Sequence, residues 1–313
     1  MKTPDPQAHA SSPLKMGLRD WRQVLGRVFK QINDDNVGIV AAGVAFFSLL
    51  AIFPLISAAV SVYGFFANPE DVYDLIASVS GVLPQEAWQV LNDEIMRLVT
   101  TPRQQLGWGI IISLLLALFS AGSGVRAVMR AMNIAYGERE DRHPFKFFLL
   151  ATLMTVSMIL FMGVALLIII GVPWLLHFVK LDGAAAIMTR ILPWCLLILM
   201  FSFASAILYL YGASRRPPKI RWVLPGVIFT TLAWLGISVG FSTFVTHMGR
   251  YDVTYGSLSA VIILLVWFWL TAMIVIMGAE LNAELERQTV IDSTRGPNKP
   301  IGKRGAKMAD FKN

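Results

Sequence analysis

The sequence predicts an all-α integral membrane protein, a six-transmembrane-helix bundle with cytoplasmic N- and C-termini and an external amphipathic helical segment. Three observations lead there. Hydrophobic residues make up 56% of the 313 positions and charged residues 15%, outside the balance of soluble domains. Six stretches carry no Lys, Arg, Asp or Glu: 36–69, 104–125, 147–179, 191–214, 222–249 and 253–279. Each reaches the roughly 20 residues that cross a hydrocarbon core, and none alternates with the period of a barrel strand. Lastly, of 27 Lys and Arg, only Arg97, Arg103, Lys180, Arg190 and Arg250 fall on one side when the loops are assigned alternately. The excess of basic residues marks the other side, which holds both tails, as cytoplasmic.

The elements follow in order. Residues 1–15 are polar with three prolines and are expected to be disordered. Over 18–32, Leu18, Trp21, Val24, Leu25, Val28 and Phe29 recur at helical spacing with basic residues between them. This predicts an amphipathic helix on the cytoplasmic membrane surface. Residues 1–35 are thus a cytoplasmic tail with a surface helix, and 36–286 are the membrane domain. Its spans are expected near 37–66, 107–133, 147–172, 191–212, 222–248 and 255–281, with the external helical segment at 67–106. Residues 287–313 form a basic cytoplasmic tail. No cleaved secretory signal is expected, because the first apolar run begins after about 36 largely polar residues and is too long for one.

Within the spans, Pro54 removes a helical hydrogen bond near mid-membrane. It reads either as a hinge or as a static kink. The short outer loop holding His247, Arg250, Asp252 and Tyr255 is a candidate outer gate, or else a turn braced by Arg250 and Asp252. At the cytoplasmic ends of three spans stand Asp34 and Asp35, then Arg126, Arg130 and Asn133, then Glu280, Asn282 and Glu284. Opposite charges at matched depth predict an inner polar network that either binds substrate and a coupling ion or staples helix ends together.

Enzymatic chemistry finds little to build on. The four histidines, His9, His143, His177 and His247, are scattered, and Cys195 is the only cysteine. No HExxH, GxxxxGK[ST] or GxSxG occurs, so no metal site, no cofactor and no catalytic residue is expected. The net charge of +7 is accounted for by tails that orient helices and meet anionic lipid, not by nucleic-acid binding.

Three stretches carry a family resemblance: DNVGIVAAGVAFFSLLAIFPL (35–55), RAVMRAMNIAYGEREDRHPF (126–145) and YGSLSAVIILLVWFWLTAMIVIMGAELNAELE (255–286). In order and spacing they resemble the signature segments of the YihY/BrkB family, over most of 33–286 but not the tails. The resemblance implies a bacterial inner-membrane protein of six spans, linked to virulence and to transport of envelope lipid or lipopolysaccharide precursors. It also brings a historical ribonuclease label, against which the missing catalytic residues argue, and it names no catalytic residues.

Two functions follow as expectations. The first is a transporter or flippase of an anionic amphiphile, not ATP-driven by itself, in which Arg126 and Arg130 contact the anion and Glu280 and Asp35 couple or latch. The second is a non-catalytic membrane scaffold that organises an envelope assembly through the surface helix and the basic C-tail. Membrane lipids are the expected partners in either case, with a homo-oligomer or an envelope-assembly partner as further possibilities.

Overall fold

A computed structural model describes residues 10–66, 103–178, 184–247 and 258–311. Seven α-helices run through them: α1 (Leu18–Asp34), α2 (Val37–Phe66), α3 (Arg103–Ala135), α4 (Pro144–Phe178), α5 (Ala184–Tyr211), α6 (Ile220–His247) and α7 (Leu258–Arg287). Each apolar run is helical where it is described, since a helix bonds its backbone within one segment and needs nothing from lipid. No strand is present among the described residues, only an isolated antiparallel bridge between Pro218 and Thr294.

Four helices among the described residues are long and apolar enough to cross a membrane, over Pro144–Phe161, Trp194–Tyr211, Ile220–Val245 and Val261–Arg287. Counting α1 with the start of α2 as one broken span gives a fifth. The sequence leads to an expectation of six; the described residues support four or five. The external segment expected at 67–106 lies outside the described residues up to 102, and 103–106 belong to α3.

Neighbours in sequence pack side by side from α2 through α7, and α7 closes the ring against α2 while also touching α3. The tightest crossing is that of α6 and α7. A Cβ on Gly226 would collide with the Gly278 carbonyl and the Asn282 amide, and one on Gly278 with Thr230 and Tyr209. Small residues let these backbones meet where larger ones would hold them apart. The Tyr209 hydroxyl, on α5, then donates to the Val275 carbonyl of α7 at 2.8 Å. Trp269 of α7 donates to the Gly38 carbonyl of α2 at 2.9 Å.

Burial is uneven along the helices. Ala131, Met132, Tyr136, Leu210, Val223, Ile276 and Ala283 form a core near one end. Further along, Leu115, Leu153, Leu160, Leu199, Leu232 and Val239 face outward. Apolar side chains turned outward on a helix bundle suit a lipid surround, in which they need not be hidden.

That densely packed end, called here the basic end, gathers α1 and the segments 136–143, 212–219 and 288–311. Gly137, with φ 62°, ends α3 in the left-handed conformation, and Glu138 N–H returns to the Asn133 carbonyl at 2.8 Å, a glycine-closed helix terminus. One expectation is corrected here. Residues 10–15 are ordered, with Ala10 buried and its carbonyl receiving the Thr289 hydroxyl at 2.7 Å. The basic tail packs on the bundle over 288–311: Arg216 N–H bonds the Gly305 carbonyl, Lys219 N–H that of Ser293, and Arg295 N–H that of Pro217. Arg304, buried, donates to the carbonyls of Val290 and Ala309. The backbone of this segment is thus paired with the bundle.

The amphipathic helix expected at 18–32 is α1. Val24 and Val28 are buried against Trp222, Leu281 and Leu285, while Leu18 and Phe29 remain 91% and 68% exposed. It therefore has two apolar stripes, one on the protein and one facing outward. The described bend lies between α1 and α2, at 61°, where Asn36 takes φ 50°. Asp35 closes α1 as its C-cap, so the carboxylates end the first helix rather than start α2. The helix α2 continues through Pro54, whose side chain lies outside the described residues.

Candidate functional site

The last turns of α7 carry Glu280, Asn282, Glu284 and Glu286, all buried. Helical geometry sorts them onto two faces, because residues four apart share one. Glu280 and Glu284 look toward α1 and α2, and Asn282 and Glu286 toward α6 and the turn before it.

Three of the four have partners. Glu284 receives the Arg27 guanidinium of α1 at 2.5 Å and Arg287 at 3.3 Å. Arg27 reaches on to Gln288 at 2.7 Å, and Gln288 donates to Asp20 and Gln23. Glu286 takes two bonds from Arg215, at 2.6 and 3.2 Å, and one from the Ser293 hydroxyl at 2.8 Å. Arg215 lies over the Tyr136 ring at 4.0 Å. Burial alone would lower its pKa, but Glu286, together with Tyr136 and Glu138, holds it above the usual guanidinium range. Asn282 Oδ1 accepts the Gly226 N–H at 2.8 Å.

Glu280 differs. Its exposure is 0%, and neither oxygen makes a hydrogen bond of good geometry among the described residues. The group facing it is the Asp35 carboxyl at the α1–α2 junction, near enough to interact with it without meeting that geometry. The Asn282 Nδ2 and the Tyr136 hydroxyl, also buried, likewise lack a well-formed bond, although the two groups adjoin each other. A carboxyl deprived of water and of a cation partner is costly to bury.

The other expected residues are distributed as follows. Asp34 is exposed and 4.0 Å from Lys30. Asn133 ties loops, donating to Glu140 at 2.8 Å and accepting the Ser214 N–H at 2.6 Å. Arg130 is exposed. Arg126 points back along α3 toward α4, donating to the Phe119 carbonyl at 3.3 Å and lying over the rings of Phe119 and Phe148. Gly122 and Thr155 floor this groove. No ion pair joins Arg126 or Arg130 to a carboxylate among the described residues. The structure thus brings Asp35, Glu280, Asn282 and Glu284 together and sets Arg126 and Arg130 apart from them. His247 is the last residue of α6; Arg250, Asp252 and Tyr255 lie outside the described residues.

Sequence reasoning missed Arg27, Tyr136, Arg215, Glu286 and Gln288. Arg27 had a readable signal, since Asp20, Gln23 and Arg27 recur on one stripe of an amphipathic helix. Arg215 sat unresolved in a basic turn.

Around this core, hydrogen bonds fix the charges of the loops. Burial would raise Glu140, yet bonds from Arg142 and Asn133 hold it below the usual carboxylate range. Asp292 is likewise lowered against burial, by the N–H groups of Lys299 and Thr294 and the Thr294 hydroxyl. Glu138 goes the other way: burial raises it, offset in part by the Lys307 N–H. A cavity of about 420 Å³ opens beside Arg142, Leu210, Ser214 and Arg215. Both arginines are already held by Glu140 and Glu286.

Outward apolar helices with charge gathered at one end define an integral membrane protein. The chain belongs to the family described as Virulence factor BrkB, whose model matches residues 28–301. It is similar to the putative ribonuclease-like protein YfkH of Bacillus subtilis (strain 168), 29% identical over 79% of this chain and 90% of that one. It is also similar to the UPF0761 membrane protein PSHAa0171 of Pseudoalteromonas translucida (strain TAC 125), 23% identical over 87% of this chain and 88% of the relative. A third relative, the UPF0761 membrane protein VSAL_I2938 of Aliivibrio salmonicida (strain LFI1238), is 26% identical over 82% of this chain and 81% of its own. No solved structure matches the chain.

Proposed function

We propose that the protein is a transporter or flippase of an anionic amphiphile, of the lipid or lipopolysaccharide-precursor class, in a bacterial inner membrane. It is not an enzyme, and it does not hydrolyse ATP by itself. The observation that carries this reading is Arg126. It is an arginine without a carboxylate partner among the described residues, set in a groove between α3 and α4 whose flanks, Phe119 and Phe148, face outward. Guanidinium binds phosphate through charge-assisted hydrogen bonds, and apolar rings beside it suit acyl chains. Arg130, one turn on, adds positive charge at the same face.

The topology supports the reading. Segments 136–143, 212–219 and 288–311 meet at one end with α1, as six crossings require when both tails lie on the cytoplasmic side. The outward stripe of α1, with Leu18 and Phe29, lies on the inner leaflet in this arrangement.

The test is translocation by purified protein in liposomes, with an anionic phospholipid, a zwitterionic one and a lipid A-type glycolipid. Anionic lipid moves above the protein-free rate. Losing an arginine–phosphate contact worth about 1.5–3 kcal/mol makes Arg126→Ala at least about tenfold slower, and Arg126→Lys retains part of the rate. If none of the lipids moves, the scaffold reading replaces this one.

A further inference from the structure

Glu280 and Asp35 sit at different depths in the same acidic pair. Glu280 is fully buried on α7. Asp35 is partly exposed at the elbow between α1 and α2, beside the exposed Asp34. The charged and titratable groups around Glu280 are known from every side. On its own helix is Glu284, whose carboxylate Arg27 neutralises. From the α1–α2 elbow comes Asp35. Beyond α3 is Tyr136, and from the turn after α5 comes Arg215, committed to Glu286. Among the described residues, the nearby cations Arg27 and Arg215 are thus each occupied by another carboxylate.

One neutral donor stands at the pair, and a second amide lies on the other face of α7. Gln31 Nε2 donates to Asp35 Oδ2 at 2.9 Å. Asn282 turns its Oδ1 to the Gly226 N–H, leaving its Nδ2 beside the Tyr136 hydroxyl. A bound metal cation needs a shell of oxygen acceptors, and among the described residues no group of three or more His, Cys, Asp or Glu stands ready to supply one. Two facing carboxyls with a donor beside them suit a shared proton, as two like charges at one site cannot both persist without a counter-ion.

We propose that Asp35 and Glu280 form a proton-binding carboxyl pair opening to the basic end of the bundle, with Asp35 as its water-facing member and Glu280 as its buried store. Resting on the transporter reading, this names the proton as the coupling ion and the α1–α2 elbow as its entrance. The proton passes from water to Asp35 and on to Glu280, and no bond other than O–H changes.

A test independent of transport is labelling with a hydrophobic carbodiimide, which attacks protonated carboxyls in apolar surroundings, followed by peptide mass spectrometry of the detergent-purified chain. The label is expected on Glu280, and at least tenfold less on Glu284 and Glu286. It should fade as pH rises, and the pH profile should shift in Asp35→Asn. Equal labelling of the three glutamates overturns the pair. Protection of Glu280 by sodium at constant pH overturns the proton in favour of a metal cation. Glu280→Gln, checked for monodispersity, supplies the control. In liposomes, lipid movement that ignores a proton gradient, with Glu280 unlabelled, sinks this inference and leaves the transporter standing. A labelled Glu280 with no lipid movement does the reverse.

Discussion

Glu280 and Glu286 stand fewer than two turns apart on α7, both at 0% exposure, yet their surroundings are opposite. Glu286 is clamped by Arg215 and Ser293, and Glu284 beside it by Arg27. Glu280 faces the Asp35 carboxyl and has no cation partner among the described residues. Equal burial with unequal pairing separates two uses of one residue type. The paired glutamates join α7 to α1 and to the α5–α6 turn, where removing a partner strands a charge. The unpaired one contributes no such link, and it is this difference on which the proposed proton pair rests.

Mutagenesis can break the comparison. The largest loss is expected at Arg215→Ala, which leaves Glu286 buried without its cation and costs about 3–5 kcal/mol, read as a fall in detergent-solubilised unfolding stability. Glu280→Gln, by contrast, keeps the fold within about 1 kcal/mol or stabilises it, because no ion pair is broken. Should both variants unfold alike, the distinction between the glutamates fails.

Next comes Gly278→Ala, where a methyl group meets Thr230 and Tyr209. Overpacking costs about 1–3 kcal/mol, seen as a lowered melting temperature. It also shifts α7 against α6 and so disturbs both glutamate faces at once.

A smaller effect is expected from acid. The lowered pKa of Asp292 means that the native state prefers its ionised form. Its contribution is fully present above the ordinary carboxylate value of about 4 and is lost as pH falls through the lower folded value. Hydrogen exchange over 292–305 should therefore quicken below about pH 4 while α7 stays protected, and Asp292→Asn should remove the pH dependence. The smallest change belongs to Asp34→Asn. Its pairing with Lys30 at 4.0 Å is exposed, so unfolding stability should not measurably change.

How much of this was legible in the sequence depends on the range over which each contact acts. Uncharged runs fix helices locally, and α2, α6 and α7 lie where hydropathy puts them. That Asp35, Glu280, Asn282 and Glu284 stand near the ends of their helices was legible for the same reason, but not that Glu280 is wholly buried without a cation partner among the described residues. Nor were the partners. Arg215 reaches Glu286 across 71 positions and Arg27 reaches Glu284 across 257, and no periodicity encodes such distances. Arg126 was readable as a membrane-end arginine, but its turn toward Phe119 and Phe148 depends on how α4 packs beside α3. The fold of segment 288–311 was not legible either: seven basic residues after 286 give no pattern, whereas Asp292 and Asp310 gather its backbone N–H groups into a compact turn.

That segment has a consequence for biogenesis. Residues 288–311 are synthesised after the seven described helices, yet they complete the hydrogen bonding of Arg216, Lys219 and Glu286, which were made earlier. While translation is still short of them, the inserted helices carry an unfinished end with Arg215 and Glu286 open to water. Quality control that samples the nascent protein would therefore find its target at that end, and a frameshift after residue 287 would leave a bundle inserted but permanently unsealed.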